Sequence, residues 1–64
     1  MENKIKEKRV ACGLSQEQLA EQSGVARTII SQLENGTRHV ITSDTMLKIS
    51  KALNESVGDI FLLN

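Results

Sequence analysis

Apolar residues in this chain recur three and four positions apart in short clusters, with Gly, Asn and Ser between them. That spacing is the helical period, and the strict alternation of a strand appears nowhere at useful length. The first cluster predicts a helix from about Asn3 to Cys12, with Ile5, Arg9 and Cys12 on one stripe and Gly13 at the left-handed position past its end. Ser15 and Gln18 have the spacing of a capping box, which opens a second helix from about Gln16 to Gln22 that buries Leu19 and Ala20. A third helix runs from about Arg27 to Glu34 and stops at Asn35-Gly36. Residues 37–42 form the longest connection. A fourth helix runs from about Asp44 to Leu53 with Ser43 as its N-cap, and Met46, Ile49, Ala52 and Leu53 form its apolar stripe. Asn54 suits a left-handed exit. Ser56 and Asp59 then form a second capping box, opening a terminal turn that holds Val57, Ile60 and Phe61.

The second and third helices carry the functional signal. Two rods of about two turns each are joined by Ser23-Gly24-Val25. Ala20 is small enough for the rods to cross closely. Gly24 takes a positive φ without steric cost, and Val25 plugs the corner. Ile30 and Leu33 share one face of the third helix and pin it to the core, which turns Thr28, Ser31 and Gln32 outward, with Arg27 on the first turn. These requirements coincide in a helix-turn-helix. The outward face carries one guanidinium, one carboxamide and two hydroxyls, groups that read base edges in a major groove. The same set could also be a plain solvated face.

Length and charge narrow the picture. Sixty-four residues make one domain, read as a single DNA-binding unit over 1–64. Such a chain buries only about 60% of its unfolded surface and is stable by a thin margin. Eight basic and eight acidic residues cancel, which excludes a polycation that coats nucleic acid or lipid. Any positive field is therefore local: Arg27 and Arg38, with Lys6 or Lys8. A single Phe, Phe61, and no Trp or Tyr leave no stacking platform for single strands. One Cys and one His form no disulfide or zinc site, so no metal or cofactor is expected. No apolar run is long enough to span a membrane, and a cytoplasmic location is expected. With no carboxylate pair, metal spacing or phosphate-cradling glycine loop, an enzyme is not expected.

The residues Ile5 and Arg9, Gly13-Leu14-Ser15-Gln16, Leu19-Ala20, Gly24-Val25, Ile30, Leu33-Glu34-Asn35-Gly36, and Leu47, Ile49, Ala52-Leu53 together resemble the DNA-binding domains of Cro and repressor proteins of lambdoid phages. These belong to the xenobiotic-response-element-type family of transcriptional regulators. The resemblance covers almost the whole chain. It implies an all-α, compact five-helix, lambda-repressor-like fold, a homodimer bound to a palindromic double-stranded DNA operator, and control of transcription; a transcriptional repressor or regulator is expected. It places Arg27, Thr28 and Gln32 at base-contacting positions, and Gln16 and Asn35 at phosphate-contacting ones. Ser31, on the same outward face of the third helix, joins the expected base-contacting set, and Arg38, in the loop, the expected phosphate-contacting set. It also implies a structural ion pair between Arg9 and Glu34; Arg9 as one more phosphate contact is the alternative. The chain departs from the family in its loop, which has no proline and is about one residue longer than the commonest form. Ser43 stands where leucine is frequent, and Val40 or Ile41 would fill that gap. Ala26 replaces the usual Ser or Thr cap of the third helix.

Several residues have two readings. Cys12 is expected as a small core filler on its stripe. Ile29 sits between packing and contact with a thymine methyl. Lys4, Lys6 and Lys8 form either a solvated face or a DNA-backbone edge. His39 is a loop residue near phosphate or solvent. Ile60, Phe61, Leu62 and Leu63 are more apolar residues than a terminal turn buries alone, which marks a dimer surface. That apolar end also motivates a second functional reading, a protein-interaction module such as an antitoxin-like subunit of a toxin–antitoxin or controller system.

Overall fold

The computed structural model describes residues 2–38 and 40–62, with the side chains of Glu2 and Leu62 outside the description. His39 and Leu63 therefore lie outside the described residues. The elements in chain order are β1 (Glu2–Asn3), α1 (Ile5–Ala11), α2 (Gln16–Ser23), α3 (Arg27–Asn35), α4 (Ser43–Ala52), α5 (Val57–Ile60) and β2 (Phe61–Leu62). The five helices match the sequence reading in number and order. The periodicity does not foresee the two-residue antiparallel pairing of β1 with β2, Glu2 opposite Leu62 and Asn3 opposite Phe61. Lys4 extends this pairing by donating its N–H to the Ile60 carbonyl at 2.7 Å. No helix among the described residues is long and apolar enough to cross a membrane.

Local chemistry sets the boundaries. The Ser15 hydroxyl accepts from the Gln18 N–H, and the Gln18 side chain accepts from the Ser15 N–H, which completes the capping box of α2. The start of α4 lies one residue earlier than expected. Thr42 is the N-cap, in extended conformation, and its hydroxyl accepts from the Thr45 N–H; Ser43 is the first helical residue. Ser56 caps α5 by accepting from the Asp59 N–H, but its hydroxyl also donates to the Asp59 carboxylate, so the reciprocal half of a capping box is replaced by a side-chain bond. The chain leaves α4 through Leu53 and then Asn54, a non-glycine at φ 56°, with the Glu55 N–H donating back to the Ser50 carbonyl.

Ile5, Leu19, Val25, Ile30, Leu33, Ile49, Leu53, Ile60 and Phe61 form one aliphatic core. α2 lies against both α3 and α4, and α1 lies against α3. Two expectations are corrected here. Ile60 and Phe61 are fully buried within the protomer, because the β1–β2 pairing folds the C-terminal segment back over the core. They cannot form a surface for a second chain. Leu62 lies in β2, and its side chain is outside the description. Cys12 is exposed and is not a core filler: α1 stops at Ala11, and Cys12 caps it at the periphery, with Sγ 4.0 Å from the Leu53 carbonyl. Of the two candidates to fill the gap beside Ser43, Ile41 packs against the core while Val40 is 76% exposed.

Candidate nucleic-acid interface

The interface is built on the turn between α2 and α3. Gly24 adopts φ 75°, a left-handed conformation that costs an L-residue with a side chain roughly 1–2 kcal/mol. Val25 is buried, as the corner requires. The turn has a second device that the sequence pattern did not reveal. The buried Ser23 hydroxyl accepts from the Val25 N–H at 3.2 Å, satisfying a donor that would otherwise be stranded. Ser23 is the last residue of α2, and only its place beneath the turn distinguishes it from any solvent-facing serine.

α3 then presents its faces as the anchor spacing demands. Ile30 and Leu33 are buried, Ile29 packs against the core, and Arg27 and Thr28 are exposed; Ser31 and Gln32 are half-buried and Asn35 is exposed at the helix end. The core contact of Ile29 favours its packing role. Ala26 is extended at the N-cap and makes no side-chain cap, so α3 starts on backbone bonds alone. At its other end Gly36 takes φ 74°, and the Thr37 and Arg38 N–H groups both donate to the Gln32 carbonyl.

Electrostatics clear the exposed face of negative charge. Glu34 is the only acid in α3, and its side chain is 3% exposed because it is turned onto Arg9. Arg9 Nε donates to Glu34 Oε2 at 2.8 Å and Nη2 to Oε1 at 3.0 Å, the paired geometry of a guanidinium on a carboxylate. Arg9 Nη1 donates to the Leu14 carbonyl at 2.7 Å, and Gln16 Nε2 donates to Glu34 Oε1 at 3.3 Å. The carboxylate bonds raise the Arg9 pKa above its ordinary value against the opposing effect of burial. One buried pair thus joins α1, the segment before α2, the first turn of α2 and the last turn of α3. Asn3 adds a further tie, its Nδ2 donating to the Leu33 carbonyl and its Oδ1 accepting from the Ile5 N–H.

The remaining candidates separate by location. Gln16 opens α2, at the positive end of the helix, with its carboxamide on Glu34. Asn35 Nδ2 lies 3.5 Å from the Ser31 hydroxyl, so these two share one edge of α3. Arg38 leaves the loop and donates through Nη1 to Gln32 Oε1 at 2.9 Å. Lys8 faces Glu55 at 3.5 Å, on the side of α1 toward the α4–α5 connection, while Lys6 is exposed.

Known proteins resemble this chain in sequence and fold. A family model described as helix-turn-helix matches residues 5–60. An HTH-type transcriptional regulator of Bacillus subtilis (strain 168), YgzD, is 41% identical over 63 residues, 98% of this chain and 94% of that protein. The control protein C.SmaI of Serratia marcescens is 54% identical over 44 residues, 69% of this chain and 51% of that protein. The crystal structure of the restriction-modification controller protein C.AhdI from Aeromonas hydrophila superposes with a TM-score of 0.83 at 38% identity, covering 91% of this chain and 86% of that one. The chain belongs to the helix-turn-helix family of Cro- and phage-repressor-type transcriptional regulators, non-enzymatic proteins that act by binding DNA.

Proposed function

We propose that residues 1–64 act as one DNA-binding unit that recognises a palindromic operator as a homodimer and represses transcription. The observation that supports this reading is the division of α3 between buried Ile30 and Leu33 and exposed Arg27 and Thr28, with the helix's single acid withdrawn onto Arg9. In this reading Arg27, Thr28, Ser31 and Gln32 face base edges in the major groove, and Gln16 and Asn35 face phosphates. Each protomer offers few cations at this face, so specific binding needs two. Two copies of α3 in successive major grooves lie about 34 Å apart, which sets half-sites about 10 base pairs centre to centre. Because Ile60 and Phe61 belong to the protomer's own core, the contact between protomers uses apolar side chains left exposed, Leu47 on α4 among them.

Within the family, the likeness to C.SmaI and C.AhdI favours a restriction–modification controller over an antitoxin-like module. Selection from random duplex DNA, paired with sedimentation of the protein alone and with the selected duplex, tests the proposal. The expected result is an enriched inverted repeat bound by two protomers. A chain that binds no enriched sequence, or binds one as a monomer, overturns it. An inverted repeat upstream of an adjacent restriction or modification gene would support the controller reading, and an adjacent toxin gene would count against it.

A further inference from the structure

The base-reading face contains one bond whose polarity has a consequence for recognition. Arg38 Nη1 donates to Gln32 Oε1 at 2.9 Å, and the atom it meets must be the oxygen, because a guanidinium only donates. The contact is built into the end of α3. The Thr37 and Arg38 N–H groups donate to the Gln32 carbonyl at 3.0 and 3.3 Å, and the Thr37 hydroxyl donates to it at 3.3 Å. The loop backbone is therefore tied to the residue whose side chain Arg38 also holds.

A free glutamine reads adenine by presenting its oxygen and nitrogen side by side, accepting from N6 and donating to N7. Gln32 has its oxygen turned onto Arg38, and none of the hydrogen bonds among the described residues uses its Nε2. What the pair offers outward is donors: the Nε2 protons and the remaining guanidinium N–H groups. Guanine shows two acceptors, N7 and O6, on its major-groove edge; adenine shows an acceptor beside a donor, and thymine one acceptor beside a methyl. We propose that Arg38 is a specificity-determining positioning residue that holds the Gln32 carboxamide as a donor-only group, so that Gln32 selects guanine.

The inference rests on the groove reading proposed above, and one experiment separates the two. Duplex selection is run on the intact chain and on the Gln32→Ala, Arg38→Ala and Arg38→Lys variants. Gln32→Ala identifies the base position read by Gln32 through loss of preference there. The expected wild-type base at that position is guanine, and Arg38→Ala is expected to lower its preference over adenine by about five-fold or more while other positions keep theirs. Arg38→Lys retains a donor for Oε1 and is expected to keep guanine. If Arg38→Ala binds weakly at moderate salt, lowering the salt restores enough non-specific attraction to read the preference. An adenine in the wild-type motif at this position, or an Arg38→Ala variant that weakens all sequences equally, overturns the inference and leaves groove binding intact. Failure of the wild-type chain to enrich any sequence overturns the groove reading itself.

Discussion

Arg9 and Glu34, twenty-five positions apart, meet in a bidentate pair that is almost entirely buried, with side-chain exposures of 12% and 3%. The pair keeps the last turn of α3 in register with α1 and removes the helix's only acid from its exposed face. A buried pair of this kind adds little over a well-packed apolar pair, but removing one partner leaves the other charge buried and uncompensated.

Glu34→Ala is therefore expected to cost about 3–5 kcal/mol, enough to unfold much of a domain this small, as read by chemical denaturation. Arg9→Lys should also destabilise, because an ammonium cannot serve both carboxylate oxygens and the Leu14 carbonyl in the fork geometry seen here. The pH dependence follows from the raised Arg9 pKa: the contribution is fully present below the ordinary arginine value and is lost only above the raised one. Stability attributable to Arg9 ionisation should thus be flat through neutral and mildly alkaline pH.

Arg27 is exposed and makes no hydrogen bond among the described residues. Arg27→Ala should leave the thermal midpoint close to that of the parent while weakening operator binding by about 1–3 kcal/mol per protomer. A titration at several salt concentrations distinguishes its role: a base contact changes sequence preference, and a phosphate contact lowers the salt slope instead. A loss of fold stability comparable to the loss of binding would contradict the placement of Arg27 on the surface.

At the turn, Ser23→Ala should destabilise by about 1–3 kcal/mol by stranding the buried Val25 N–H. Ser23→Gly would leave the same donor unmet, so both variants should shift the denaturation midpoint in the same direction. No change in either would mean that the Ser23 hydroxyl is dispensable to the turn.

Ser50 is the opposite case. It is 3% exposed inside α4, and its hydroxyl has no hydrogen-bond partner among the described residues. Ser50→Ala removes a polar group buried without a partner and improves helix propensity, so a gain of about 0.5–1 kcal/mol is expected. A loss of stability in urea denaturation would indicate a partner for that hydroxyl.

How much of this was legible in the residue order depends on the range of the interactions involved. The spacing of Ile30 and Leu33, the capping box at Ser15 and Gln18, and the glycine between α2 and α3 each act within a few residues, so the helices and the division of α3 into two faces could be read directly. Thr42 displaced Ser43 as cap because neighbouring hydroxyl residues compete for the same N–H groups, and only the backbone path decides which is extended. The C-terminal cluster could not be assigned from its composition. Ile60 and Phe61 look sticky in isolation, and they are buried because β2 returns to pair with β1, a closure between opposite ends of the chain. The geometry of Arg9 on Glu34, the tie from Asn3 to Leu33, and the grip of Arg38 on Gln32 likewise belong to tertiary structure. A periodic pattern states which face is apolar, but which polar atoms meet depends on how the packed helices bring distant or loop-borne side chains within hydrogen-bond distance.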